Sequence, residues 1–297
     1  MVLSAVVNGQ TMKAQGFTLR RMDVSDIGGA MKLSMAEGWN QTENDWRLLV
    51  EDPGNVCLLA EIDNKIIGTT TAINYANDVA WIGMVLVDKE YRGNGVSKSL
   101  LASILEKTAF IKSIKLDATQ AGRPVYQKFG FTDEYIIARM VNTSAMKLSK
   151  GEYEFEPEPV TPRDTREIVA IDEVVFGVNR KQLIKFLLRS PAKGWLLRKR
   201  GAIVGFVLGR EGNKHHHIGP LVASSTSDAI MLISKAIEDL TDKSVAVDVL
   251  CDKEELINWL NSIGFIRQRD FVRMYKNENP FPGKIADQFL ICGPEFG

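Results

Sequence analysis

The sequence is poor in the residues that build cross-linked or metal-held scaffolds. Its 297 residues contain only three cysteines, Cys57, Cys251 and Cys292, and three histidines, His215 to His217. An odd number of widely spaced cysteines is no disulfide framework and no zinc pattern, and it predicts a reducing compartment. Three consecutive histidines entering a strand point to alternate faces, and no cysteine or further histidine completes a ligand set. A structural role and no metal are expected. An excess of either charge is also lacking, since 37 Lys+Arg balance 37 Asp+Glu. That removes any whole-chain attraction to nucleic acid or an anionic membrane and leaves only local basic clefts. The longest apolar run, Val79 to Val87, has the length of a strand, far below the roughly 20 residues of a membrane span. Met1 to Gln10 carry no basic n-region of a signal peptide. The expectation is a soluble cytosolic protein with no membrane or nucleic-acid partner.

What is present is ordinary globular material. Hydrophobic residues make up 45% and charged residues 25%, and the length suits two cores better than one. Two copies of one plan are visible. Val56 to Ala60, a turn at Asp63-Asn64 and Ile66-Ile67-Gly68 read as a β-hairpin. So do Gly194 to Leu197, Lys199-Arg200-Gly201 and Ile203-Val204-Gly205. Each hairpin is followed by a strand holding Ile-Gly, then helix, strand, helix and Gly-Phe. The gaps agree: Gly68 to Gly83 is 15 residues and Gly205 to Gly219 is 14, while Gly83 to Gly130 is 47 and Gly219 to Gly264 is 45. A duplicated domain follows. The charged, Pro-containing stretch Lys147 to Pro162 is the expected boundary, with opening strands near Phe17 to Arg21 and Tyr153 to Val160. The order of elements predicts an α/β fold, a mixed, mostly antiparallel twisted sheet with flanking helices.

The chemistry is concentrated between Trp81 and Leu101. A β-branched strand stops at Asp88, a glycine-rich loop follows, and a helix begins near Val96 with apolar positions Val96, Leu100 and Ile104 on one face. Such a loop delivers backbone N–H groups to a helix N-terminus, where unsatisfied donors and the helix dipole favour an anion. Gly93 and Gly95 lack side chains, so phosphates can approach the main chain. The motif is neither the nucleotide P-loop nor the dinucleotide fingerprint. In the second copy, Ser224 to Asp228 leads directly into a helix. That reads as a hydroxyl N-cap without a glycine cradle, and Asn258-Trp259-Leu260 stands where the first copy has Tyr126.

The run Arg92-Gly93-Asn94-Gly95-Val96-Ser97 resembles the acetyl-CoA signature of the GNAT superfamily, Arg/Gln-x-x-Gly-x-Gly/Ala, with Ser97 where Gly or Ala is usual. Tyr126-Gln127-Lys128-Phe129-Gly130-Phe131 resembles the family's Tyr-x-Lys-x-Gly-Phe element, 34 residues beyond the arginine. The resemblance spans roughly Phe17 to Val141 and continues more faintly through the second half. It implies a tandem N-acetyltransferase: a tail over 1–15, a catalytic acetyl-CoA-binding domain over 16–148, and a degenerate GNAT-like domain without a phosphate loop over 149–297.

The resemblance also implies roles. Val85, Leu86, Val87, Arg92, Gly93, Asn94, Gly95, Val96, Ser97, Lys98 and Tyr126 would hold acetyl-CoA. The Val85 N–H would polarise the thioester carbonyl, and Val87 would pair with the pantetheine arm. Tyr126 would protonate the departing thiolate, or else serve as a packing aromatic. Direct attack by an amine through a tetrahedral intermediate is implied. No carboxylate stands at Ile82, Gly83 or Met84, so the nearest acidic candidate for a general base is Asp117, which otherwise caps the following helix. Trp39, Asn40 and Trp46 would wall the acceptor pocket or pack in the core. The acceptor is expected to be a small amine or amino acid, with protein amines or a non-catalytic CoA-responsive binding role as alternatives. One cofactor per chain is expected. The second copy would close one side of the acceptor cleft, its last stretch Ala286 to Gly297 would pack, and the segment 1–148 alone would retain CoA binding.

Overall fold

The computed structural model describes residues 12–14, 16–143, 155–189, 194–240 and 243–297. Most of the expected N-terminal tail, the first part of the expected boundary stretch and the start of the strand expected near Tyr153 lie outside the described residues. The chain divides into two compact units, Met1–Lys112 and Ser113–Gly297.

The first unit contains β1 (Met12–Ala14), β2 (Phe17–Arg21), α1 (Ile27–Ala36), α2 (Glu43–Glu51), β3 (Val56–Ile62), β4 (Lys65–Tyr75), β5 (Val79–Val87) and α3 (Val96–Lys107). The strands pair antiparallel in chain order from β1 to β5. The hairpin of β3 and β4 turns at Asp63 and Asn64, which adopt φ of 47° and 64°. Asp and Asn tolerate that left-handed geometry, which matches the twist of a two-residue turn. A capping box starts α2: the Asp45 carboxylate accepts from the Thr42 backbone N–H at 2.7 Å, and Thr42 Oγ1 accepts from the Asp45 N–H. This orientation turns Trp46 and Leu49 inward, where both are fully buried.

The second unit contains β6 (Ser113–Thr119), α4 (Arg123–Lys128), β7 (Thr132–Asn142), β8 (Glu158–Pro159), α5 (Thr165–Phe176), α6 (Lys181–Arg189), β9 (Trp195–Lys199), β10 (Ala202–Arg210), β11 (His216–Ala223), α7 (Thr226–Glu238), β12 (Val245–Leu250), α8 (Glu254–Ser262), β13 (Ile266–Asn277) and β14 (Gln288–Leu290). Its strand order is β6-β13-β7-β12-β14-β11-β10-β9-β8. The pairings are antiparallel, apart from a parallel stretch of β11 with β12. One face is built on Leu232, Ile233, Ile237, Leu256 and Leu260 from α7 and α8, all buried against Val247, Val249 and Leu221.

This order changes the reading of the two copies as separable blocks. The closing strand of the second copy, β13, lies between β6 and β7 of the first, and β7 in turn pairs with β12 of the second. The copies exchange their final strands. Residues 113–142 therefore pack within the second compact unit. The exchange is fastened by charge. Arg139 Nε and Nη2 donate to the Asp248 carboxylate at 2.7 and 2.6 Å, and Arg273 Nε and Nη2 donate to Asp117 at 2.8 and 2.9 Å. In each case the partners face one another across adjacent strands.

Candidate active site

The site is built first from β5. Between β4 and β5 the register passes from Thr69 opposite Leu86 to Thr71 opposite Gly83, so Met84 and Val85 together oppose Thr70. This is a β-bulge, and it bends the strand and interrupts its ladder. Met84 takes up the distortion with φ of 53°, and Thr69 Oγ1 pins it by donating to the Met84 carbonyl at 2.8 Å. Beyond the bulge Leu86 is buried, while Val85 and Val87 on the opposite side are only half-buried. A bulge that leaves Val85 without a partner on β4 is how a core strand can offer its main chain to a ligand.

The segment after β5 is held open by its own contacts. Asp88 caps a 3-10 turn over Lys89–Tyr91 and pairs with Lys65 at 3.0 Å. That ammonium helps hold the Asp88 carboxyl below its ordinary value. Gly93 and Gly95 follow with φ of 83° and 79°, values that favour glycine, and a Cβ at Gly93 would meet nothing within 4 Å. Gly95 is the N-cap of α3 and supplies no side-chain cap, and the first turn of α3 carries no acidic residue. The first-turn N–H groups of Val96, Ser97 and Lys98 are therefore left to an external acceptor. This arrangement fits the pyrophosphate of a CoA ester, with Arg92 and Asn94 beside it in the loop. Arg92 is already engaged: Nε donates to the Val87 carbonyl at 3.2 Å, and Nη2 meets Glu37 Oε1 at 2.6 Å.

The corresponding place in the second copy is filled by the chain itself. Ser225 Oγ accepts from the Asp228 N–H at 3.2 Å, and the buried Asp228 carboxylate sits in the first turn of α7 against Lys199 at 2.6 Å. A hydroxyl cap and a first-turn carboxylate thus stand at this helix start, where α3 has neither. The gap between the paired strands is filled as well. β11 and β12 pair only over His216–Ile218 and Val245–Val247, and beyond that β14 hydrogen-bonds to both. At Gly219 a Cβ would lie 2.0 Å from the Ile291 carbonyl oxygen, so only glycine lets that segment seat. Phe289, Leu290, Ile291, Cys292 and Phe296 are all buried, and this stretch packs as expected.

Tyr126 stands on α4, half-buried, edge-on to Phe131 at 5.9 Å between ring centroids. Its surroundings penalise the phenolate and push its pKa up to about 12. Pro124 sits in the first turn of α4, where its missing N–H costs nothing, and Thr119 Oγ1 accepts from the Gly122 N–H at 3.1 Å.

One expectation is corrected, for Asp117, and one of two readings is selected, for Trp46. Asp117 lies inside β6 and caps no helix. Both of its carboxylate oxygens accept from Arg273, its side chain is fully buried, and Arg273 also donates to the Tyr135 hydroxyl. A carboxylate so committed is a structural ion pair, not an available base. Trp46 is 0% exposed and belongs to the core of the first unit, because the α2 cap turns it inward. Asn40 is likewise buried, whereas Trp39 remains half-buried.

The three histidines take separate partners: His215 Nδ1 lies 2.6 Å from Ser244 Oγ, His216 lies 3.6 Å from Glu211, and His217 Nε2 lies 3.0 Å from Asp248. Among the described residues no group of three or more His, Cys, Asp or Glu side chains is placed to hold a metal, and no helix is long and apolar enough to cross a membrane. Sequence reasoning missed Glu37 as the partner of Arg92. Nothing local to Glu37 signals this role, because Arg92 lies 55 residues further along the chain.

Comparison with known proteins agrees with this geometry. Residues 31–131 match the model of the acetyltransferase (GNAT) family, and residues 168–290 match that of an acetyltransferase (GNAT) domain. The chain is 23% identical over 249 residues to YitH of Bacillus subtilis, named as an uncharacterized N-acetyltransferase, covering 83% of this chain and 87% of that one. It is 21% identical over 249 residues to the holothin acyltransferase of a Pseudoalteromonas strain, covering 83% of each. A crystal structure of a candidate acetyltransferase from Pyrococcus horikoshii superposes with a TM-score of 0.81 at 23% identity, over 96% of this chain and 98% of that one. With a GNAT match in each of the two copies and a bulged strand leading to an uncapped helix in the first, the chain belongs to the GNAT family of acetyltransferases as a tandem-domain acyltransferase.

Proposed function

We propose that the enzyme transfers an acetyl group from acetyl-CoA to the amine of a small metabolite or amino acid, using only the first copy's cofactor site. The observation that carries this reading is the contrast between two equivalent helix starts. That of α3 is open, glycine-lined and free of any side-chain cap, while that of α7 is closed by Ser225 and Asp228.

Acetyl-CoA, when bound, supplies an acetyl thioester. The chain's own groups do the rest. The amides of Val96, Ser97 and Lys98 at the start of α3, with Arg92, Gly93, Asn94 and Gly95, hold the phosphates. The main chain of Leu86 and Val87 orients the pantetheine arm. The Val85 N–H, at the bulge where β5 leaves the β4 register, would donate to the acyl oxygen as negative charge develops there. Tyr126, in the second unit, is kept as a neutral phenol by its surroundings, and the family resemblance assigns it the proton for the leaving sulfur. No carboxylate is available as a base on β5, and Asp117 is held by Arg273. The acceptor amine therefore enters neutral and releases its proton to solvent. Trp39, exposed enough to meet a ligand, is the remaining aromatic candidate on the acceptor side.

The test is incubation of the full chain with acetyl-CoA and a panel of amines, amino acids and basic peptides, monitoring free thiol. Acceptor-dependent thiol release from small amines supports the reading. Release only with peptides moves the acceptor class to protein amines. Cofactor binding without release from any acceptor assigns the chain to a CoA-responsive binding protein.

A further inference from the structure

The phosphate loop of the free protein is docked onto the C-terminal end of α1 by two cations that share one carboxylate. Arg92 Nη2 meets Glu37 Oε1 at 2.6 Å, Lys89 Nζ lies 3.8 Å from the same oxygen, and Lys89 also donates to the Ala36 carbonyl at 3.4 Å. The contact has a physical logic. The end of a helix carries unsatisfied carbonyls and partial negative charge, and Glu37 adds a full charge at that place. To Arg92, the Glu37 carboxylate offers an anionic oxygen of the kind a phosphate would offer. Glu37 borders a cavity of about 740 Å³ lined also by Lys32, Lys65, Asp88 and Lys89, so its carboxylate has room to move when Arg92 is taken.

Glu37 is also the first residue of the segment that carries Trp39. Gly38 follows it with φ of 69°, and the N–H groups of Gly38 and Trp39 close the helix end by donating to Met35 and Ser34. A residue at this point connects the loop that holds phosphate to the stretch that contains the half-buried Trp39 and buried Asn40.

We propose that Glu37 is a positioning residue: it holds Arg92 in place of the cofactor phosphates in the free protein, and when CoA takes Arg92 the released Glu37 shifts the segment 37–40. The proposal rests on the reading that the α3 loop binds CoA. It accounts for the half-exposed state of an ion pair whose distances are those of a well-made one.

The test uses the full chain and unacylated CoA, so no turnover intervenes. Calorimetry is carried out on wild type, Glu37→Gln, Arg92→Gln and the double variant, with Glu90→Gln as a control acid that contacts Lys65 rather than Arg92. Glu37→Gln should tighten CoA binding by about 3- to 10-fold, because an exposed ion pair and its charge no longer compete. In the Arg92→Gln background the same substitution should change affinity by less than about 2-fold. Glu90→Gln should have a smaller effect than Glu37→Gln. An equal gain in both backgrounds would reduce Glu37 to a general charge effect and overturn the proposal, as would no gain in either.

Tryptophan fluorescence supplies a second readout. CoA should change the emission of wild type, the change should vanish in Trp39→Phe, and free Glu37→Gln should already show most of it. An unchanged Trp39 signal during clear CoA binding overturns the coupling while leaving the cofactor reading standing. Failure of wild type to bind CoA at all overturns the cofactor reading, and the proposal with it.

Discussion

Arg273 grips Asp117 through two hydrogen bonds of 2.8 and 2.9 Å, and it lies nine residues beyond Gly264 of its own Gly-Phe pair. Arg139 lies nine residues beyond Gly130 and grips Asp248 in the same bidentate manner. Each arginine sits on the closing strand of one copy, and each aspartate sits on the strand of the other copy that precedes its final helix. The duplication is therefore reciprocal in its chemistry as well as in its strand order. Removing one member of a buried pair leaves the other charged and unsatisfied, at a cost of about 3–5 kcal/mol. Arg273→Met should lower unfolding stability by that amount. The combined change Arg273→Met with Asp117→Leu should recover most of the loss, as read from urea denaturation midpoints.

The exchange also changes what a half-molecule can do. A fragment 1–148 lacks β13, which hydrogen-bonds to both β6 and β7, and lacks Asp248 for Arg139. For this fragment the strand order predicts loss of folding in place of the CoA binding expected from the sequence. The fragment should aggregate or lose its cooperative unfolding transition, and co-expression with 149–297 should restore it. A soluble, cooperatively folded 1–148 would contradict this.

At the phosphate loop, Gly95→Val places a β-branched side chain at a φ of 79° and over the start of α3. Such strain is about 1–3 kcal/mol, which an intact unit absorbs. Affinity for CoA should fall by at least about tenfold, the equivalent of about 1.4 kcal/mol. Calorimetry on a variant with unaltered circular dichroism checks this.

For catalysis, Tyr126→Phe keeps the edge contact to Phe131 and removes the proton. Turnover should fall by about 10²-fold or more with little change in melting temperature. Because the phenol titrates only near pH 12, it adds no falling limb to the pH–rate profile below about pH 11. With no carboxylate base available, kcat/KM should rise with pH through the pKa of the acceptor amine and then level off. A bell-shaped profile with a falling limb near neutrality would disprove the assignment of Tyr126.

Stability should respond to acid through the histidine row. Burial holds His216 neutral, with its pKa lowered to about 4 although Glu211 opposes the shift, and it lowers His215 and His217 too. Between the unfolded value near 6.5 and about 4, the unfolded chain binds more protons, so stability is full above that window and falls as pH drops through it. Each such group contributes up to about 1.4 kcal/mol per pH unit. His216→Phe should flatten the fall in melting temperature over this range. Glu211, which faces the ring, and its partner Lys243 should be held constant in the comparison.

The parts of this molecule set by neighbours in sequence were legible there. The Asp63-Asn64 turn, the glycine loop before α3 and the Ser225 cap each follow from local backbone requirements, and the duplication followed from spacing. The parts set by distant partners were not. Nothing near Asp117 announces an arginine 156 residues away, so the aspartate read as a cap or a base. Strand exchange leaves the local pattern of both copies intact, because each strand meets an equivalent neighbour whichever copy supplies it. Trp46 was nearer to legible. The capping box at Thr42 and the spacing from Trp46 to Leu49 already put it on the inward face of an amphipathic helix.

The interleaved strands also set a timetable for synthesis. β6 and β7 leave the ribosome well before β13, and the partner of Asp117 is made 156 residues later. At about 5–20 residues per second, translation keeps the first copy waiting about 8 to 30 s for the strand that completes it. Through that interval β6 and β7 present unpaired edges, the kind of surface that invites pairing with another nascent chain. Yield of native protein should therefore depend on holding chaperones and on elongation rate between residues 142 and 277, more than on the intrinsic stability of either half.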